Sequence, residues 1–145
     1  MNEIIIKEVF FNTPEYKSEL RLRDNVLRKP LGMDISDDAL EIEVDDYHIC
    51  AIINSKVVGT LLLRKFNNTT LQMKQVAVDE SLRNKNIGRK LISFAESFAK
   101  DKGFTKIILN ARKTAIPFYE RISYKKIGEE FTEVGILHMK MTKDL

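Results

Sequence analysis

Apolar positions change period several times along this chain, and each change marks an element. Residues 3 to 9 (Glu-Ile-Ile-Ile-Lys-Glu-Val) read as a first strand. Thr13, Pro14 and Glu15 then supply the cap, first-turn proline and acid of a helix start. That helix is predicted to run to about Leu27, with Leu20, Val26 and Leu27 on a modest apolar stripe, before the breaker Lys29-Pro30-Leu31-Gly32. Two strands follow, Tyr47 to Ile53 and Val57 to Phe66, joined by a hairpin turn at Asn54-Ser55-Lys56.

From Leu71 to Val78 the apolar positions are first odd (71, 73) and then even (76, 78). A strand keeps period two unless a residue is inserted, so the slip predicts a β-bulge near Lys74 to Val76. A strand buried on both faces, where phase carries no information, is the alternative. Ile87, Leu91, Ile92, Phe94, Ala95, Phe98 and Ala99 recur at helical spacing, and Gly103 supplies the stop. A strand from Phe104 to Asn110, a short helix from Thr114 to Arg121 and strands at Tyr124 to Glu130 and Ile136 to Met141 complete the chain. The order β-α-β-β-β-α-β-α-β-β is a mixed α/β pattern.

The 145 residues fit one domain spanning 1–145. With six Gly, three Pro and no long apolar run, the composition argues against disorder, secretion and a membrane span, so a soluble cytoplasmic protein is expected. Cys50 is the only cysteine and His48 and His138 the only histidines, so no metal site is expected. The net charge of +3 hides an asymmetry. Asp34, Asp37, Asp38, Glu41, Glu43, Asp45 and Asp46 fall in a stretch without Lys or Arg, whereas Ser81 to Ala95 holds Arg83, Lys85, Arg89 and Lys90 without an acid. The first could attract cations and the second anions, although either could be plain solvated surface.

The basic stretch opens the long helix. A helix start presents unpaired N–H groups and partial positive charge, a setting that binds phosphate. Gly88 lets a ligand approach, and Arg83, Lys85 and Arg89 add full charges. Gly88-Arg89-Lys90-Leu91 lacks the upstream glycine and hydroxyl of a P-loop, and one glycine does not make a dinucleotide fingerprint. Nucleic acid is disfavoured as well, because no aromatic residue interleaves the basic ones.

The segment Arg83-Asn84-Lys85-Asn86-Ile87-Gly88 resembles the signature of the GNAT superfamily, the Gcn5-related N-acetyltransferases: Gln/Arg-x-x-Gly-x-Gly/Ala between a bulged fourth strand and a long helix. Asn86 stands at the first glycine, where Asn is the best substitute if φ is positive. Ile108-Leu109-Asn110-Ala111, Ala115-Ile116-Pro117-Phe118-Tyr119 and Gly135-Ile136-Leu137-His138 are most similar to the ElaA-like branch, with Leu137 where a proline is usual. The resemblance implies a GNAT fold: a mostly antiparallel sheet of six or seven strands with a bulged, splayed fourth strand, flanked by about four helices. It implies acetyl-CoA as cosubstrate, its arm on the backbone of Val76, Ala77 and Val78 and its pyrophosphate on residues 83 to 89, with Asn110 and Phe118 bordering the arm. One N–H of the splayed strand would polarise the thioester carbonyl.

The implied activity is transfer of an acetyl group to a primary amine by direct attack. Spacing alone leaves Tyr119 a core ring with an incidental hydroxyl; the resemblance makes it the donor that protonates the departing thiolate. An ammonium must also lose a proton, and Glu41, Glu43, His48 and Glu133 suit that role by type, with no spacing selecting one. His48 and His138 read as structural histidines or acceptor-pocket residues, Cys50 as a small buried hydrophobe, and Arg23 as a salt-bridge partner or a substrate-carboxylate ligand. The acidic stretch suggests a cationic acceptor. A non-catalytic acyl-CoA sensor is the alternative function, and the assembly state stays open, a homodimer among the options.

Overall fold

The computed structural model describes residues 3–145, apart from the side chain of Asn84. β1 (Ile5–Val9) pairs antiparallel with β2 (Tyr47–Ile53), which pairs with β3 (Lys56–Lys65). The β2–β3 turn places Asn54 and Ser55 at φ 49° and 65°, the left-handed pair that matches strand twist in a two-residue hairpin. β3 pairs antiparallel with β4 (Thr70–Val78), and β4 pairs parallel with β5 (Lys106–Arg112). β6 (Lys125–Glu133) and β7 (Ile136–Asp144) form a last hairpin whose β7 lies against β5. The sheet has seven strands in the order β1-β2-β3-β4-β5-β7-β6, and one of its pairings is parallel.

The bulge stands where the phase slip places it. Leu62 faces Lys74 and Thr60 faces Ala77, so Leu61 alone opposes both Gln75 and Val76, and Gln75 takes φ 56°. The extra residue bends β4 away from β5. Their pairing runs from Thr70 to Met73 and stops, leaving the β5-facing edge of Val76, Ala77 and Val78 without a strand partner.

α1 (Pro14–Arg23) is capped by Thr13, whose Oγ1 accepts from the Tyr16 N–H at 3.2 Å. The predicted helix to Leu27 is corrected here: α-helical bonding ends at Arg23, and Asp24–Arg28 forms a π-turn in which the Lys29 N–H reaches the Asp24 carbonyl. Pro30 has no N–H to continue the ladder, and a 3₁₀ turn ends on Gly32 at φ 71°. β5 begins two residues later than expected, because the Phe104 N–H is spent on the Ala99 carbonyl at the preceding helix end. Together with α2 (Ile87–Asp101) and α3 (Ile116–Arg121), these helical segments cover the sheet.

α2 buries Ile87, Leu91, Ile92, Ala95 and Ala99 against the sheet. It approaches closely at Gly59 of β3, where an added Cβ would lie 2.8 Å from Leu91 Cδ1 and 2.9 Å from Ile87 Cγ2. Gly59→Val is therefore expected to cost about 1–3 kcal/mol through overpacking, read as a lowered urea midpoint at unchanged slope.

Candidate active site

The N-terminus of α2 opens on the splay without a side-chain cap. Thr13, Asp34 and Asp79 each accept a backbone N–H at the start of their own segments, but Asn86, at φ 61° and ψ 21°, makes no side-chain cap. The condition under which Asn substitutes best for the signature's first glycine, a positive φ, is met at Asn86. Lys90 N–H bonds the Asn86 carbonyl at 3.1 Å, so the earlier first-turn amides of Ile87, Gly88 and Arg89 have no carbonyl within the helix. Within the span 83 to 89 that the resemblance assigns to the pyrophosphate, residues up to Lys85 belong to the 3₁₀ turn Glu80–Lys85, which uses amides internally. The free donors thus lie further along, at the first turn of α2.

The cleft in front of this turn has a volume of about 600 Å³. Val76, Ala77 and Val78 form one wall, and Phe118 and Tyr119 of α3 another. Arg83, Arg89, Arg112 and Arg121 all line it, and none makes an ion pair within 4 Å among the described residues. Four guanidinium groups without a carboxylate in ion-pair contact, one of them Arg83 with its Nε on the Val78 carbonyl at 3.4 Å, stand beside free helix amides and suit an anion. Arg112 and Arg121 escaped the sequence reading, since one ends a strand and the other a helix, where a lone Arg is ordinary. Lys85 is exposed and lines no part of the cleft, and Ile87 is in the core, so only its amide can take part. The Asn84 side chain lies outside the described residues.

Gly88 faces Phe118 and Val78, and an added Cβ would lie 3.6 Å and 3.9 Å from them, ordinary contact distances. Packing within the chain does not require glycine there. Gly88→Ala is expected to hold or slightly raise the melting temperature while weakening acetyl-CoA binding roughly tenfold, about 1.4 kcal/mol, as measured by calorimetry.

A smaller cavity of about 200 Å³ lies on the other side of the splay, lined by Arg28, Gln75, Asn110, Glu133 and His138. It shares Leu27, Val76, Arg112, Ala115 and Tyr119 with the larger cleft. Asn110 thus borders the smaller cavity and Phe118 the larger, with Tyr119 between them. The Asn110 Oδ1 is buried without a hydrogen-bond partner among the described residues. Tyr119 is buried, its ring against the edges of Phe118 and Tyr124 at 5.2 and 5.7 Å. Burial pushes its phenol up to about 12, so it stays protonated at neutral pH.

The model of the GNAT acetyltransferase domain family matches residues 21–145. The chain belongs to the GNAT family. Among curated relatives, the uncharacterized N-acetyltransferase YjcF of Bacillus subtilis is 29% identical over 134 residues, 92% of this chain and 95% of that one. Escherichia coli ElaA shares the fold at TM-score 0.81 and 21% identity, over 99% of both chains. A GNAT acetyltransferase of Elizabethkingia anophelis with acetyl-CoA bound has TM-score 0.74 and 19% identity over 98% of each chain. This GNAT chain is an acyl-CoA-dependent N-acyltransferase with acetyl-CoA as its cosubstrate.

Other GNAT-chain residues weighed from sequence fall elsewhere. Arg23 is fully buried and donates to Glu19 at 3.0 Å and to both Glu43 oxygens at 2.8 and 2.6 Å. Tyr16 donates to Glu43 at 3.0 Å. Glu43 and His48 are thus consumed inside the fold and line neither cavity, which removes them as proton acceptors. Cys50 lies in the same cluster, buried as expected, its thiol pushed up by burial and Glu19. The acidic stretch is not a free surface either: Asp38 binds Arg28, Glu43 binds Arg23 and Asp46 binds Arg64. With three of its seven charges neutralised internally, it loses much of its pull on a cationic acceptor. Among the described residues, no helix is long and apolar enough to cross a membrane.

His48 carries a pH dependence. Its Nδ1 meets the Glu19 carboxylate at 3.0 Å and its Nε2 the Glu43 carbonyl oxygen at 2.9 Å. Both partners accept, so the arrangement favours the doubly protonated ring. Burial by itself lowers the pKa, but the Glu19 bond and charge and the Glu43 carbonyl outweigh it and raise it above the ordinary value. A raised folded pKa contributes stability that is complete below about pH 6.5 and is lost as pH rises through the folded value. The melting temperature is expected to fall on the alkaline side, with a flatter slope in His48→Gln.

Proposed function

We propose that the chain transfers an acetyl group from acetyl-CoA to a primary amine by direct attack in a ternary complex, with no acyl-enzyme intermediate. The observation that carries this reading is the position of Tyr119 between a large cleft with an anion-binding end and a small polar cavity across the splay.

In this reading the amides of Ile87, Gly88 and Arg89, with Arg83 and Arg89, hold the diphosphate. The unpaired β4 edge at Val76 to Val78 holds the pantetheine arm as a further strand would and presents an N–H to the thioester oxygen. The amine enters through the small cavity. Tyr119 gives its proton to the sulfur as the C–S bond breaks, which a phenol kept neutral at physiological pH can do. Cys50, buried outside both cavities, offers no nucleophile for a covalent route.

A thiol-release assay with acetyl-CoA and a panel of small amines, aminoglycosides and lysine peptides tests this. Turnover with at least one amine is expected. Tight acetyl-CoA binding with no thiol released by any of them would favour a sensor over an enzyme.

A further inference from the structure

His138 is the second histidine of the chain, and its environment is the reverse of that of His48. It lies on β7, only 8% exposed, with its ring stacked on Phe131 at 5.8 Å and 25°. Its Nδ1 is 2.8 Å from the Ile136 carbonyl oxygen. A carbonyl can only accept, so Nδ1 carries the hydrogen and the neutral ring keeps its lone pair on Nε2. Nε2 has no protein partner among the described residues, yet it is not one of the sealed unpartnered side-chain atoms, which are Arg23 Nε and Asn110 Oδ1. Nε2 thus keeps some accessible surface, and His138 is one of the residues that line the small cavity with Tyr119 and Asn110.

We infer that Nε2 of His138 accepts the proton that the acceptor ammonium must lose before it attacks. The inference rests on reading the small cavity as the amine's side of the site. The other charged or titratable groups of that cavity come from each element around it: Arg28 on the π-turn, Lys74 on β4, Arg112 on β5, Glu133 on β6 and Tyr119 on α3. Arg28 is spent on Asp38 and Gln75, Arg112 and Lys74 are cations with nothing to accept, and Tyr119 is the donor. Glu133 is the remaining acceptor by type, but it is exposed at the rim, whereas the His138 lone pair is fixed by its Nδ1 bond and its stacked ring.

The protons balance. His138 Nε2 takes one proton from the ammonium, and the free amine forms the C–N bond to the thioester carbon. As the C–S bond breaks, Tyr119 protonates the thiolate and recovers the proton that the new amide nitrogen sheds. His138 then releases its proton to water, so the products are the amide, the free thiol and one proton.

The test compares the full-length wild type with His138→Gln and Glu133→Gln, using acetyl-CoA with spermidine, L-lysine, tyramine and kanamycin as acceptor probes. His138→Gln is expected to lower kcat/KM about 10²-fold at neutral pH. It should leave the acetyl-CoA thermal shift intact and regain rate as rising pH supplies free amine. Diethyl pyrocarbonate should modify one imidazole per wild-type chain and none in His138→Gln, since both His48 nitrogens are engaged. An unchanged rate and pH profile in His138→Gln, no modification of the wild type, or the loss appearing in Glu133→Gln instead would each overturn the inference and leave the transfer reading standing. Acetyl-CoA binding without thiol release from the wild type with all four probes would overturn both.

Discussion

Tyr119→Phe is expected to lower kcat by about 10²-fold and to leave both acetyl-CoA affinity and the melting temperature close to wild type. The separation follows from the surroundings of the side chain within the fold: among the described residues the hydroxyl has no hydrogen-bond partner, while the ring is held by Phe118 and Tyr124. Removing the oxygen leaves that packing in place and leaves no buried group unpaired. Because burial holds the phenol near 12, wild-type activity should show no fall from ionisation of this group through pH 9. Steady-state kinetics beside calorimetry of acetyl-CoA binding decide the matter. Equal losses in kcat and in affinity, or no loss in either, would remove Tyr119 from the proton-donor role.

Arg23→Ala should be the most damaging single change to the fold. The side chain is wholly buried, and its guanidinium bridges Glu19 on α1 and Glu43 in the segment before β2. Its loss leaves two buried carboxylates sharing His48 as their remaining cation, with Tyr16 still donating to one of them. Breaking a buried pair by deleting one partner costs about 3–5 kcal/mol, most of it the uncompensated charge left behind. For a domain of this size that corresponds to a fall in melting temperature of roughly 10 °C or more. Arg23→Lys, which keeps the charge but cannot grip both Glu43 oxygens, should fall between. A melt of Arg23→Ala within about 2 °C of wild type would show that the cluster contributes little.

The cluster also explains why the acidic stretch misleads when read as a line of charges. Glu43 and Asp46 look like neighbours of Glu41 and Asp45, yet they turn inward toward Arg23 and Arg64, which are 20 and 18 residues away in sequence. A charge count sees no partner at that distance. Long-range pairing likewise took Glu43 and His48 out of the list of bases, and the base inferred above, His138, stood outside that list; its value lies in a tautomer fixed by its own strand.

Local physics made much of the fold legible in the residues themselves. The single phase slip at Lys74 to Val76 located the bulge, because side-chain period in a strand is strictly two. The seven-residue apolar stripe from Ile87 located α2, and the family signature marked Asn86 before it as a position suited to a left-handed residue. Element boundaries were less legible where tertiary bonds set them. The π-turn at Asp24–Arg28, the late start of β5 and the extension of β6 and β7 depend on which carbonyl each amide reaches in the folded chain.

The chain's residues alone located the family signature, the bulged strand and the basic start of α2, since each depends on neighbours a few positions apart, whereas the donor role of Tyr119 came from the resemblance and not from its spacing. Tertiary structure alone decided that Arg112 and Arg121 join Arg83 and Arg89 around one cleft, that Tyr119 stands between two cavities, and that His138 rather than His48 keeps a free lone pair. Those outcomes are set by contacts between segments distant in sequence, where burial and hydrogen-bond partners, not residue type, determine what a side chain can do.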